Sequence, residues 1–220
     1  MASLLPDTDP NGLLEYSVVF SDRSLNHMSQ SFRDVMLNIS NTLKKVYKAE
    51  SVVVVPGGGT FGMEAVARQF ASNKKCLVLR NGWFSYRWSQ MLEMGEITSS
   101  IAVMKAKKLS SSKENYDPQS PMEPASIDEV LKQIDMQKPN VVFAPHVETS
   151  AGMILPDEYI ASVAQAVHKA GGLFVLDCIA SGALWVDMEK LGIDVLISAP
   201  QKGWSASPCS ALVMLGPAAR

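Results

Sequence analysis

Cysteine is scarce in this sequence: Cys76, Cys178 and Cys209 are odd in number and far apart. They form no disulfide framework and have no metal-ligand spacing, and they point to a reducing, cytoplasmic compartment. Histidine is as thin, with only His27, His146 and His168. No Ser/His/Asp or Cys/His arrangement is legible from their spacing, and a lone histidine such as His146 is more often structural than catalytic. Long hydrophobic runs are missing too, and none approaches the length of a membrane span. The opening stretch, Met1-Ala-Ser-Leu-Leu-Pro-Asp-Thr-Asp9, is acidic and lacks a signal-peptide pattern. Neither sign of charge dominates: 20 Lys and Arg face 22 Asp and Glu, and no basic stretch stands out. Nucleic acid and membrane are therefore not expected partners.

What is present is an ordinary globular chain of 220 residues, long enough to bury a core without staples. Residues 1–30 are short on periodicity and read as an arm; the rest, 31–220, reads as one large domain. Helical spacing starts after Ser31, a candidate cap with Asp34 three residues on. Phe32, Val35, Met36, Ile39, Leu43, Val46 and Tyr47 then share a face. Ser51 to Val55, with four valines, reads as a buried strand. A helix from about Phe61 to Ala71 follows, then strand Cys76–Leu79. A helix marked by Phe84, Trp88, Met91 and Leu92 precedes a weaker strand, Ile101–Met104. Residues 107–126 are rich in Ser, Pro and Lys and read as an exposed loop.

Beyond that loop, Ser126 caps a helix running from Ile127 to about Met136. Val141–Phe143 is a strand. Pro156 sits where a first helical turn favours it, and that helix ends at Gly171-Gly172. Leu173–Asp177 is a strand ending in an acid. A short helical segment near Met188 leads to strand Val195–Ile197, and Ala211–Leu215 closes the series. Strands alternating with helices define an α/β fold: a mostly parallel sheet with helices on both faces.

Four strand ends carry chemistry. Gly57-Gly-Gly59-Thr60 lies between a strand and a helix start, where free N–H groups and the helix dipole favour an anion. Gly57-x-Gly59-x-x-Gly62 also matches the dinucleotide fingerprint. That fingerprint wants an acid near the end of the next strand, and this sequence has Leu79-Arg80-Asn81. An arginine could instead suit a 2′-phosphate, so an NADP-binding oxidoreductase stays open, as does a turn with no ligand. Asp177 ends a buried strand, where a carboxylate is costly unless paired. Its partner is a cationic ligand atom or a neighbouring protein donor. Thr149 and Ser150 place hydroxyls at another strand end. Lys202, in Ser198-Ala-Pro-Gln-Lys-Gly203, is a solvated loop lysine unless packing desolvates it into a nucleophile toward an aldehyde. A phosphate cradle, an acid, a hydroxyl pair and a lysine on one sheet edge are what a pyridoxal phosphate site needs.

Several stretches resemble the class V aminotransferases of the alanine/serine–glyoxylate type, which are fold-type I pyridoxal 5′-phosphate enzymes. They are His27-x-x-Gln-x-Phe32, Gly58-Gly-Thr60-Phe-Gly-Met-Glu64-Ala65, Asn81-Gly82-Trp-Phe84-Ser-Tyr-Arg87-Trp88, Glu148-Thr-Ser-Ala-Gly152, Asp177-Cys-Ile-Ala-Ser181 and Ser198-Ala-Pro-Gln-Lys-Gly203. They run in the family's order and span nearly the whole chain. The resemblance implies that Lys202 holds the cofactor as a Schiff base and moves the proton, and that Asp177 pairs with the pyridine nitrogen. It implies that Gly58, Gly59, Thr60 and Gln201 bind the phosphate and that Thr149 faces the 3′-oxygen. An aromatic residue stacks on the ring, by position Phe84 and not Trp83. The implied reaction moves an amino group between a small amino acid and a 2-oxo acid such as glyoxylate, in a homodimer. Class V lyases and desulfurases are relatives of the same type, and a non-catalytic cofactor-binding fragment is a further alternative. The family's C-terminal small domain, with its substrate-carboxylate arginine, is expected to lie beyond Arg220.

Lys202→Ala is expected to abolish covalent attachment of pyridoxal phosphate while leaving the fold intact, because the lysine lies in a loop past its strand. A visible absorption spectrum unchanged by the substitution would assign the lysine wrongly.

Overall fold

A computed structural model describes His27 and residues 30–109, 111–112, 115–116 and 119–220. The N-terminal arm lies almost wholly outside the described residues. The seven strands of the main sheet are β1 (Ser51–Pro56), β2 (Cys76–Arg80), β3 (Ile101–Lys105), β4 (Val141–Pro145), β5 (Leu173–Asp177), β6 (Val195–Ser198) and β7 (Ser210–Leu215). The helices are α1 (Gln30–Tyr47), α2 (Gly59–Ala71), α3 (Trp83–Met94), α4 (Ile127–Gln137), α5 (Asp157–Lys169) and the single turn α6 (Met188–Leu191).

Across the sheet the order is β1-β7-β6-β5-β4-β2-β3. Strands β3, β2, β4, β5 and β6 run parallel. Strand β7 is antiparallel to both β6 and β1. The expected α/β sheet is therefore observed, with one reversed strand inserted near an edge.

The apolar runs are continuous because both faces are covered. Along β2, Cys76 and Val78 face one side and Leu77 and Leu79 the other, the period-two alternation of a strand. Leu77, Leu79, Val142, Phe174, Leu176 and Leu196 pack against α1, α4 and α5 through side chains such as Tyr47, Ile134 and Ile160. On the opposite face, Val78, Phe143, Val175 and Ile197 meet α2 and α3 through Met63, Val66, Trp88 and Leu92. Trp88 stacks on Phe143 with ring centroids 4.4 Å apart.

Local signals held where they were chemical. Ser126 Oγ accepts from the Glu129 N–H at 3.4 Å, and Glu129 Oε2 accepts from the Ser126 N–H at 3.3 Å, a reciprocal cap on α4. Other expectations need correction. The four-valine strand β1 is not buried: it is the sheet's edge, and Val53 is 45% exposed. Helix α1 starts at Gln30, before Ser31, and only Leu43 and Tyr47 of its apolar face are buried. Pro156 is the cap residue preceding α5, not its first helical residue. The loop at 107–126 contains two short antiparallel ladders, Lys107–Lys108 with Met122–Glu123 and Ser111–Ser112 with Asn115–Tyr116. No described helix is long and apolar enough to cross a membrane. Cys76 and Cys178 are buried thiols and Cys209 an exposed one.

Because Phe143 is fully buried against Trp88, Phe143→Ala is expected to destabilise the fold by about 3–5 kcal/mol. Val53→Ala, on the half-exposed edge, should cost less than about 1 kcal/mol. Chemical denaturation of the two variants would reveal the order, and equal losses would contradict the edge placement.

Candidate active site

The C-terminal ends of the parallel strands converge on a cleft of about 170 Å³ lined by Gly59, Thr60, Met63, Phe84, Arg87, Val147, Thr149, Asp177, Ile179, Ala180, Gln201 and Lys202. Seven of the eight residues singled out from sequence therefore line one space. The eighth, Gly58, caps α2 beside it, with the Gln201 carboxamide nearby. A larger, open hollow of about 740 Å³ lies between α4 and α5, lined by residues such as Leu131, Asp135 and Lys169. None of the strand-end chemistry reaches it.

Helix α2 points its first turn at the cleft, where the leading N–H groups have no intrahelical acceptor. Gly62 packs the helix down: a Cβ there would lie 2.5 Å from the Cβ of Ala211 on β7. That close approach accounts for the last glycine of the fingerprint-like run. A dinucleotide fingerprint places its strand inside a parallel sheet, whereas β1 is an edge strand paired antiparallel. Arg80, weighed as a ligand for a 2′-phosphate, instead lies over the Tyr86 ring at 5.0 Å.

Asp177 is buried at the end of β5, and its Oδ1 accepts the Ile179 N–H at 3.0 Å. Burial pushes its pKa up to about 6, with Glu148 adding to the rise; the Ile179 N–H, Trp88 and Arg87 oppose it. The buried Trp88 indole N–H has no acceptor in hydrogen-bond geometry among the described residues. A buried acid so poorly compensated fits a cationic partner.

Glu148 is its counterpart and was not singled out by sequence reasoning. It is almost fully buried, yet it accepts the Phe84 N–H at 3.1 Å, the Ser85 N–H at 2.9 Å, and the hydroxyls of Ser85 and Ser150 at 2.6 Å each. Burial pushes its pKa up, but these bonds outweigh it and hold the pKa below the ordinary value. The carboxylate thus caps the N-terminus of α3 from another part of the chain, where the helix dipole also favours it. Ser150 completes the join by accepting the Trp83 N–H at 2.8 Å. Only glycine fits at position 82, since a Cβ would come within 2.3 Å of Ser150 Oγ.

This join aims α3. Phe84 faces the cleft, while Trp83 is 61% exposed and packs beside Tyr86. Arg87, one turn after Phe84, also lines the cleft, and its Nη1 donates to Thr60 Oγ1 at 3.1 Å. Lys202 is exposed at the cleft, and its Nζ lies 5.8 Å from the Phe84 ring centroid. Gln201 Oε1 is buried with no hydrogen-bond partner among the described residues. Half a turn of the amide would put an N–H there instead. His146 is structural: its Nδ1 lies 2.7 Å from Ser181 Oγ, and burial lowers its pKa against a smaller opposing effect of Asp157.

An exposed amine, an undercompensated buried acid, a helix N-terminus and an aromatic face around one cleft fit pyridoxal phosphate. Residues 13–213 match the family model for aminotransferase class-V. The chain belongs to that family, whose members depend on pyridoxal phosphate. Among individual proteins it is 30% identical over 183 residues to a 2-aminoethylphosphonate–pyruvate transaminase from Bacillus mycoides, covering 82% of this chain and 45% of the relative. An L-aspartate–glyoxylate aminotransferase from Paracoccus denitrificans is 28% identical over 203 residues, covering 89% and 47%. The solved alanine–glyoxylate aminotransferase from Nostoc sp. shares the fold at a TM-score of 0.74 and 22% identity, covering 89% and 48%. The chain thus spans about half the length of the curated relatives it matches.

The raised pKa of Asp177 has a consequence for the ligand-free protein. A folded-state pKa above the unfolded one means that folding takes up a proton between about pH 4 and pH 6. Stability therefore falls as pH rises through this window, and the loss persists above it. Asp177→Asn should raise ligand-free stability at pH 7 by up to about 3 kcal/mol and flatten that part of the profile. Thermal melts from pH 4 to pH 8 test this; a destabilised asparagine variant at pH 7 would contradict it.

Proposed function

We propose that this chain is the cofactor-binding part of a pyridoxal phosphate-dependent transaminase that exchanges an amino group between a small amino acid and a 2-oxo acid such as glyoxylate. The observation that carries the reading is the convergence of Lys202, Asp177 and the N-terminus of α2 on one small cleft. When bound, pyridoxal phosphate supplies an aldehyde for covalent capture of an amine and a ring that takes up carbanion charge. Lys202 Nζ provides the amine for attachment, and once free it moves the proton at the donor's reacting carbon. Asp177 would hold a proton on the ring nitrogen, because a nearby carboxylate favours the protonated pyridine. Gly58, Gly59 and Thr60 offer N–H groups and a hydroxyl to the phosphate, and Gln201 offers its carboxamide. Phe84 and Thr149 line the same cleft, where Phe84 would stack on the ring and Thr149 would offer its hydroxyl to the 3′-oxygen. The assembly is a homodimer. The names of two relatives support the acceptor class, one transaminase using glyoxylate and the other pyruvate.

The purified protein reconstituted with pyridoxal phosphate should absorb visible light, lose that band with borohydride, and gain the cofactor's mass at Lys202. An alanine, serine or aspartate donor with glyoxylate or pyruvate should turn over. A colourless protein that binds NADP instead would end this reading, and a coloured protein inert to every donor would reduce it to cofactor binding.

A further inference from the structure

The contact between Arg87 and Thr60 has no part in the roles assigned above. Arg87 sits on α3 and Thr60 in the first turn of α2, so the bond joins two helices across the mouth of the cleft. A guanidinium only donates hydrogen bonds, whereas a hydroxyl has one proton and two lone pairs. When Thr60 Oγ1 accepts from Arg87 at 3.1 Å, its own proton must point elsewhere. Helical threonines usually turn that proton back to a carbonyl one turn earlier. Thr60 is the second residue of its helix, so the residue four before it is Pro56, outside the helix. The free first-turn N–H groups of α2 face the same space.

Arg87 is itself well held. Its guanidinium carbon lies 5.4 Å from the Phe84 ring centroid, and the residue is half-buried. Among the described residues no carboxylate forms an ion pair with it. A guanidinium left without a carboxylate beside a helix N-terminus strengthens the positive end of the cleft. The same cation favours the charged form of Asp177, which is consistent with its facing inward.

We infer that Arg87 is a positioning residue that fixes the Thr60 hydroxyl as a hydrogen-bond donor to the phosphate of the bound cofactor. This rests on the pyridoxal phosphate reading above. Lysine at this position would recover part of the effect, since an ammonium donates without matching the planar fork.

The test compares affinities for pyridoxal 5′-phosphate and for pyridoxal, which lacks the phosphate, by absorbance titration of the wild type, Arg87→Met, Arg87→Lys, Thr60→Val and the Arg87→Met/Thr60→Val double variant. Circular dichroism checks the fold; methionine and lysine both suit a helix interior. Arg87→Met should weaken pyridoxal 5′-phosphate binding about tenfold, as expected for a hydrogen bond to a charged group, and leave pyridoxal within about twofold. Thr60→Val should do the same, and the double variant should be no worse than the weaker single one, because both remove one interaction. Arg87→Lys should fall between. The phosphorus NMR shift of the bound cofactor should move in both single variants in the same direction. Equal weakening of both ligands in Arg87→Met, or losses that multiply in the double variant, would overturn the inference while leaving the cofactor reading intact. A wild type with no preference for the phosphorylated ligand would overturn both.

Discussion

Glu148 is the interaction on which the rest of the site depends. Its carboxylate is buried, and a buried charge survives only with enough donors around it. Two backbone N–H groups of the first turn of α3 and two serine hydroxyls provide them. Removing one partner would leave a stranded charge, so the turn after β4 and the start of α3 are locked as a unit. Thr149 stands on the first of these and Phe84 and Arg87 on the second. The strand ends therefore do more than collect side chains: a polar join between non-adjacent segments sets their spacing.

Two buried carboxylates at the C-terminal ends of neighbouring central strands have opposite fates. Glu148 is saturated with donors and is held ionised. Asp177 has a single backbone donor, and burial holds its proton more tightly. Burial raises both, but only Glu148 has enough donors to outweigh it. A saturated carboxylate is structural, while an undersupplied one is left to bind something, and proteins tolerate such instability mainly where function needs it.

Much of this was legible in the sequence, for identifiable reasons. Strand β5 could be bounded because an unbroken apolar run ends in an acid and a change of pattern. The α4 cap was readable because Ser126 and Glu129 are three residues apart. The strand-end residues were legible as types, since glycines, an acid and a lysine at such points have few roles. Strand β1 misled because a run of valines does not reveal what flanks it; its neighbour β7 lies far along the sequence, and no described strand pairs with its other side. Arg87 and Glu148 stood in plain view but unassigned. Their partners, Thr60 and Ser85, lie far along the chain, and only the fold brings them within reach.

The pairing of β1 with β7 also has a meaning for how the chain comes to be folded. Ser51 meets Leu215, so among the described strands β1 pairs only with one that lies far along the sequence from it. Contacts this distant in sequence close slowly, because the intervening loop must be ordered before pairing rewards it. Until then the valines of β1 form an unpaired apolar edge of the kind that recruits other chains. The antiparallel closure by β7 thus sets how long the edge valines of β1 stay open to association during folding.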